Sequence, residues 1–215
     1  MNAMNALAIA RRIGSRRFFG KLAGVCLCGL GISVFKLAAM GNDAYSALVF
    51  ALSARFPIGF GTMLLLMNAL FFLGECIWGR QMIGLGTVVN WLCVGYVADF
   101  FSETLFVCVP AELALPVRGM LMLAGVCILC LGGSMYQTAD VGIAPYDALS
   151  LIMAERLPLK YFWCRIITDA SCFAACLLLG GLTGVGTFVC ALGLGPVISF
   201  FDKYVSRPLL GRKKE

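Results

Sequence analysis

Long apolar runs, separated by short polar or glycine-rich interruptions, make up almost the whole chain. Gly119 to Ala139, Leu182 to Phe201 and Gln81 to Ala98 contain no charged residue. Leu22 to Phe35 and Pro57 to Gly74 are also uncharged, and Tyr161 to Gly181 is apolar apart from Arg165 and Asp169. A helix needs roughly 20 mostly apolar residues to cross about 30 Å of hydrocarbon. Barrel strands would alternate polar and apolar positions, which these runs do not. The pattern predicts an all-α, polytopic membrane protein with about six transmembrane helices.

Two interruptions resemble each other. Gly41-Asn42-Asp43-Ala44-Tyr45-Ser46-Ala47-Leu48 and Gly142-Ile143-Ala144-Pro145-Tyr146-Asp147-Ala148-Leu149 both begin with Gly, carry Tyr fifth and end in Ala-Leu. Each opens a short helix, over about 44–55 and 146–156, after a helix-start signal: Asn42-Asp43 in one case, Pro145 in the other. Pro57 and Pro158 stop them. At 1.5 Å per residue they reach roughly 17 Å, about half the hydrocarbon core. Such helices enter and return, or lie at the interface.

The likeness extends along the chain. Leu22-Ala23-Gly24-Val25-Cys26 recurs 101 residues later as Leu123-Ala124-Gly125-Val126-Cys127. At that offset Gly31 meets Gly132, Tyr45 meets Tyr146, Arg55 meets Arg156 and Pro57 meets Pro158. After one deletion, Gly84-Leu85-Gly86-Thr87 meets Gly184-Val185-Gly186-Thr187, and Gly95 meets Gly195. An ordered series with a single gap is an internal repeat. The expected organisation is a basic cytoplasmic tail (1–17), a first membrane repeat (18–104), an external linker (105–117), a second repeat (118–206) and a second basic tail (207–215).

Three spans per repeat is an odd number, so the second repeat inserts upside down relative to the first. Charge supports an even total: Arg11, Arg12, Arg16, Arg17 and Lys21 precede the first span, and Lys203, Arg207, Arg212, Lys213 and Lys214 follow the last. Basic flanks stay in the cytoplasm. Arg80, Arg156 and Lys160 then also fall inside, and the linker, with Glu103 and Glu112 against Arg118, falls outside. The alternative lets both short helices span, giving eight helices and a parallel repeat; helix length favours six. Ser15 to Lys21 has a likeness to a twin-arginine export signal, but the segment that follows is matched by an internal copy lacking one.

Composition agrees with the bilayer as solvent. The 215 residues are 61% hydrophobic and 13% charged, with net charge +6 and no histidine; mean hydropathy is +0.93. Ordinary soluble domains are about 45–50% apolar and about 25% charged. Of the eleven cysteines, all but Cys108 lie inside apolar segments, unlike a disulfide scaffold. Cys127/Cys130 and Cys172/Cys176 have helix-face spacing, but small-residue packing explains them without a metal. Without histidine there is no Ser/His/Asp set and no zinc motif, so neither enzyme chemistry nor a cofactor is expected. The Gly-x-Gly-Thr pairs lack a phosphate loop's Lys-Ser/Thr ending and are read as close helix–helix approach.

Polar residues within apolar segments cost about 2.5–3.5 kcal/mol each in lipid, so they face one another or water. Arg165 and Asp169, four apart on one helix face, form a candidate pair. Glu75 and Asp140 lie near helix ends and are assigned to the headgroup region. Helix breaks at corresponding places in two inverted halves point to a transport site. The candidate substrate or ion path is Asp147, Asp169, Arg165 and Tyr146, with Asp43, Asn68 and Lys36 from the other half and Gln137, which matches Lys36. Asp147 has an alternative, capping its own helix; Tyr45 and Tyr146 belong either to an interfacial belt or to the site wall.

Gly142, Pro145, Tyr146, Asp147 and Leu149, followed by Gly184-Val185-Gly186-Thr187 and Gly195-Pro196, form a pattern that resembles the bacterial YczE/YyaS/YitT-type integral membrane proteins. The first half departs from it, with Ala44 in place of Pro, Ser46 in place of Asp and Tyr96 in place of the Pro after Gly. The resemblance implies a multi-helix protein of the bacterial inner membrane and no particular substrate. The function expected is transport of a small solute or ion between the repeats. The alternative is a non-transporting protein that regulates or anchors a partner. Expected partners are the lipid bilayer, the solute, and a second copy or membrane partner, but no nucleic acid. With both termini cytoplasmic, Ala114→Cys in a cysteine-free background should react with an impermeant thiol reagent from outside. Reaction only after the cytoplasmic side is opened would instead support eight spans.

Overall fold

The computed structural model describes residues 15–109, 113–181 and 184–210. Arg11, Arg12, Arg212, Lys213 and Lys214 of the basic tails, and Pro110 and Glu112 of the linker, lie outside the described residues. The order is α1 (Ser15–Ala38), α2 (Ala44–Arg55), α3 (Phe60–Trp78), a 3₁₀ turn (Arg80–Met82), α4 (Leu85–Cys108), α5 (Leu115–Thr138), α6 (Pro145–Arg156), α7 (Tyr161–Leu178), α8 (Val185–Phe201), a π-helical turn (Asp202–Ser206) and α9 (Arg207–Leu210). No strand occurs among the described residues.

Five helices, α1, α3, α4, α5 and α7, are long and apolar enough to cross a membrane. The sixth expected segment is α8, with 17 residues, about 25 Å long, and the chain stays helical beyond it. Leu66, Leu70, Leu73 and Ile77 form an exposed stripe on α3, at the three- and four-residue spacing of one helix face. Hydrocarbon, not water, suits such a face.

Local chemistry sets both short helices. The Asp43 carboxylate accepts the Ser46 N–H at 3.0 Å and so caps α2. Pro145 occupies the first turn of α6, where its missing N–H costs nothing. Phe56 and Leu157, each followed by proline, are extended and end the helices. Each has 12 residues, about 18 Å, which is too short to cross.

The long helices α1 and α5 pack antiparallel. A Cβ on Gly24 would lie 2.8 Å from the Gly132 carbonyl oxygen, and one on Gly132 would lie 2.8 Å from that of Gly24. At the far end Gly31 meets Leu129, and Arg118 Nε donates to the Ala38 carbonyl at 2.8 Å. Small residues let the backbones approach this closely. Around this pair the halves exchange elements: α2 packs on α7, and α6 packs on α3.

The breaks follow the same rule. Ala39 and Gly41 have φ of 49° and 103°, and Asp140 and Gly142, at the matching places, 53° and 120°. Each break docks on the Gly-x-Gly-Thr turn of the opposite half. The Gly86 N–H donates to the Val141 carbonyl at 2.8 Å, and the Gly186 N–H donates to that of Met40 at 2.9 Å. The close approach expected of these glycines is therefore to a helix break rather than to another helix. A Cβ on Gly84 would sit 2.2 Å from the Val141 oxygen, and one on Gly184 would sit 2.3 Å from the Met40 oxygen. Both partners are backbone and cannot turn aside. Gly84→Ala and Gly184→Ala should each lower stability in detergent by about 2–3 kcal/mol. Gly119→Ala, which meets nothing within 4 Å, should be neutral or mildly stabilising. Thermal unfolding of the purified variants checks the contrast.

Candidate functional site

A cavity of about 690 Å³ opens between the halves, with side chains from both in its wall. At its centre the rings of Tyr45 and Tyr146 stack, centroids 4.1 Å apart and planes within 10°. Each tyrosine begins a short helix and reaches the equivalent position on the following long helix. Tyr45 donates its hydroxyl to Asn68 Oδ1 at 2.9 Å, and Tyr146 donates to Asp169 Oδ1. Both rings are buried, so they form the site wall and not an interfacial belt.

A cluster of paired charges lies on the second half. Arg165 Nε is 3.3 Å from Asp169 Oδ2, one helical turn along α7, and its Nη1 pairs with Asp147 Oδ1 on α6. The guanidinium also lies 4.8 Å from the Tyr146 ring centroid, a cation–π distance. Two carboxylates and a ring thus hold one cation, and with all three groups ionised the cluster carries one net negative charge. The matching positions in the first half are Ser46, Leu64 and Asn68. At those three positions the first half supplies hydrogen bonding and apolar wall; its carboxylate in the cavity wall is Asp43.

The structure gathers Asp147, Asp169, Arg165, Tyr146, Asp43, Asn68 and Gln137 around the one cavity. Gln137 Nε2 donates to the Tyr136 hydroxyl at 3.3 Å. Lys36 stands apart. Its side chain is exposed, with its ammonium 5.4 Å from the Phe50 ring and 5.7 Å from the Phe106 ring, where a long side chain can leave hydrocarbon without joining the polar core.

Two further expectations need correction. The Asp147 carboxylate goes to Arg165, and α6 has no side-chain cap; a guanidinium one helix away outcompetes the local N–H groups. Glu75, assigned to the headgroups, is fully buried, and neither carboxylate oxygen has a hydrogen-bond partner. It lies two helical turns from Asn68, on the face of α3 opposite the exposed leucines, and that heptad spacing was a usable signal.

Sequence reasoning missed Lys21. It reads as the last residue of a basic flank, yet it is 1% exposed. Its ammonium donates to the Gly142 carbonyl at 2.7 Å and lies 4.4 Å from the Tyr136 ring centroid. Also unforeseen is the link from α5 to the π turn, where Thr138 Oγ1 donates to Asp202 Oδ1 at 2.7 Å and Arg207 Nε donates to Asp202 Oδ2 at 2.7 Å. Among the described residues, no group of three or more His, Cys, Asp or Glu side chains could hold a metal ion.

Removing Arg165 strands two carboxylates, whereas removing Asp169 leaves the guanidinium still paired with Asp147. Arg165→Ala should therefore cost the fold on the order of 3 kcal/mol, and Asp169→Asn, which keeps an acceptor for Tyr146, much less. Arg165→Leu/Asp147→Ser/Asp169→Asn copies the first half and should regain most of the loss. Thermal melts in detergent decide this, and an Arg165→Ala variant as stable as the parent would contradict it.

Comparison with known proteins identifies the family. The family described as "Family of unknown function (DUF6198)" matches residues 15–203. An uncharacterized protein of Haemophilus influenzae is 26% identical over 190 residues, covering 86% of this chain and 83% of its own. The uncharacterized membrane protein YczE of Bacillus subtilis is 24% identical over 179 residues, covering 83% of this chain and 81% of its own. The likeness expected from the second break is thereby borne out, and the chain is a YczE-like membrane protein. No solved structure matches.

Proposed function

We propose that this chain, which belongs to the DUF6198 family, is a non-enzymatic transporter of small solutes in the bacterial inner membrane. Its site is the cavity between the two halves, and both termini are cytoplasmic. One observation carries the reading. A cavity of about 690 Å³ is walled by both halves and holds an arginine between two aspartates beside a stacked tyrosine pair. Pockets for small ligands commonly have such a volume and combine apolar walls with a few convergent polar groups.

The antiparallel setting of α1 against α5 supports an inverted repeat, and the helix breaks meet the site as in transporters built that way. Rocking of one half against the other would expose the cavity to each side in turn. The surplus carboxylate and the aromatic faces favour a small organic cation over an anion.

Reconstitution of the purified protein in sealed vesicles tests this. Uptake of a panel of small organic cations should exceed that of protein-free vesicles for at least one member. Asp147→Asn should reduce that uptake at least tenfold while the protein stays folded. A folded protein that moves no cation, anion or neutral solute would overturn the proposal and favour a protein that anchors or regulates a partner.

A further inference from the structure

The cavity is lopsided. Its inner wall draws matching residues from both halves: Asn68 on α3 and Val94 on α4 answer Asp169 on α7 and Leu194 on α8. In the second half the cavity continues between α7 and α8, past Phe162, Ile166, Gly195 and Ser199. The counterparts of these four are Gly61, Leu65, Gly95 and Asp99, and in the first half they are packed shut.

Gly61 and Gly95 are both buried, and a Cβ on Gly61 would lie 2.9 Å from the Gly95 carbonyl carbon. The Gly61 N–H donates to Asp99 Oδ2 at 2.7 Å, so a side chain of α4 satisfies one of the free N–H groups at the start of α3. Trp91 Nε1 donates to the Leu65 carbonyl at 2.9 Å, and its ring stacks on Phe72 with centroids 4.9 Å apart. The α7–α8 cleft has none of this closeness. Gly195 is exposed, and a Cβ on it would meet nothing within 4 Å. Phe162 is 51% exposed, and the Ser199 hydroxyl turns back to the Gly195 carbonyl of its own helix at 2.9 Å. A glycine inside a helix weakens it, and close approach of a second helix is what such a residue permits. Gly95 has that approach, and Gly195 in this arrangement does not. Seam and cleft lie toward opposite ends of the molecule: the linker joins the end of α4 to the start of α5, whereas Thr138 at the end of α5 holds Asp202 just past α8.

We infer that the α7–α8 cleft is a gate, which closes in a second state when the Phe162 ring seats against Gly195, and that the α3–α4 seam parts in the same step. The two closures are not identical, because Phe162 has a side chain where Gly61 has none. Its ring fills the space that the two backbones share at the seam. Packing lost at one place is regained at the other, so two discrete arrangements of the same elements can lie close in free energy. The inference rests on the transport reading of the cavity, but its test reads distances and not uptake. A gate that moves in a protein without measurable uptake would leave the gate standing and remove only the transport reading.

The test is double electron–electron resonance on the purified full-length protein in lipid nanodiscs. Spin labels are attached through p-acetylphenylalanine, which leaves the native cysteines in place. One pair, at Lys160 and Lys203, spans the cleft, and the other, at Phe56 and Glu103, spans the seam; all four residues are exposed. Asp99→Ala removes the acceptor of the Gly61 N–H, and Gly95→Leu drives a side chain into the seam. In each variant the Phe56–Glu103 distance should lengthen and the Lys160–Lys203 distance should shorten. The shift should be about 5 Å, as helices held apart by a side-chain-wide gap reach the roughly 8–10 Å axial spacing of packed helices. Adding Gly195→Trp to Asp99→Ala fills the seat of the Phe162 ring. The Lys160–Lys203 distance should then stay at the parent value while the seam still parts.

A seam that parts while the Lys160–Lys203 distance keeps its parent value would overturn the inference, because the cleft would then be a fixed feature. So would a shortening that persists in Asp99→Ala/Gly195→Trp, since Phe162 would not be seating on Gly195. Should Gly95→Leu not fold, Asp99→Ala carries the decision, and a folded Asp99→Ala protein in which neither distance moves counts against the gate.

Discussion

A backbone amide inside a membrane must find a partner within the protein, because hydrocarbon supplies none. This chain breaks its helices twice, and the requirement is met reciprocally. Gly86 donates to the break of the second half, and Gly186 donates to the break of the first. Neither half completes its own backbone hydrogen bonding. The glycines at these turns, the antiparallel α1–α5 pair and the exchange of α2 and α6 between halves all follow from that mutual dependence. A side chain on Gly84 or Gly184 would occupy the space of a partner carbonyl.

On this near-symmetric frame the polar residues are asymmetric. Both tyrosines keep the same geometry, hydroxyl to the long helix and ring to ring across the centre. Around them the first half places Ser46, Leu64 and Asn68 where the second places Asp147, Arg165 and Asp169. Duplicated backbone provides the cavity, and divergence of side chains gives the second half an ionic cluster that the matching positions of the first half lack.

Buried charge is expensive without compensation, and each charged residue shows a different solution. Arg165 is neutralised by two carboxylates. Lys21 uses a carbonyl and an aromatic face. Asp202 accepts from Thr138 and Arg207. Glu75 departs from these: it is fully buried and neither carboxylate oxygen has a hydrogen-bond partner.

The sequence by itself determined the class, the helices, the breaks and the first contact of the site. Apolar run length decides whether a segment can span. Asp43, Pro57, Pro145 and Pro158 act on the backbone within a turn, so α2 and α6 were legible to within a residue. The Arg165–Asp169 pair was legible for the same reason: spacing of four on a helix places two side chains together whatever the rest of the chain does. Tertiary structure alone decided that Asp147 joins that pair, that Lys21 leaves the basic flank to reach Gly142, and that Lys36 stays away. These contacts link separate elements, Lys21 and Gly142 being 121 residues apart. Local preference acts over a few residues, whereas the partner of a distant side chain is set by how all the helices pack at once.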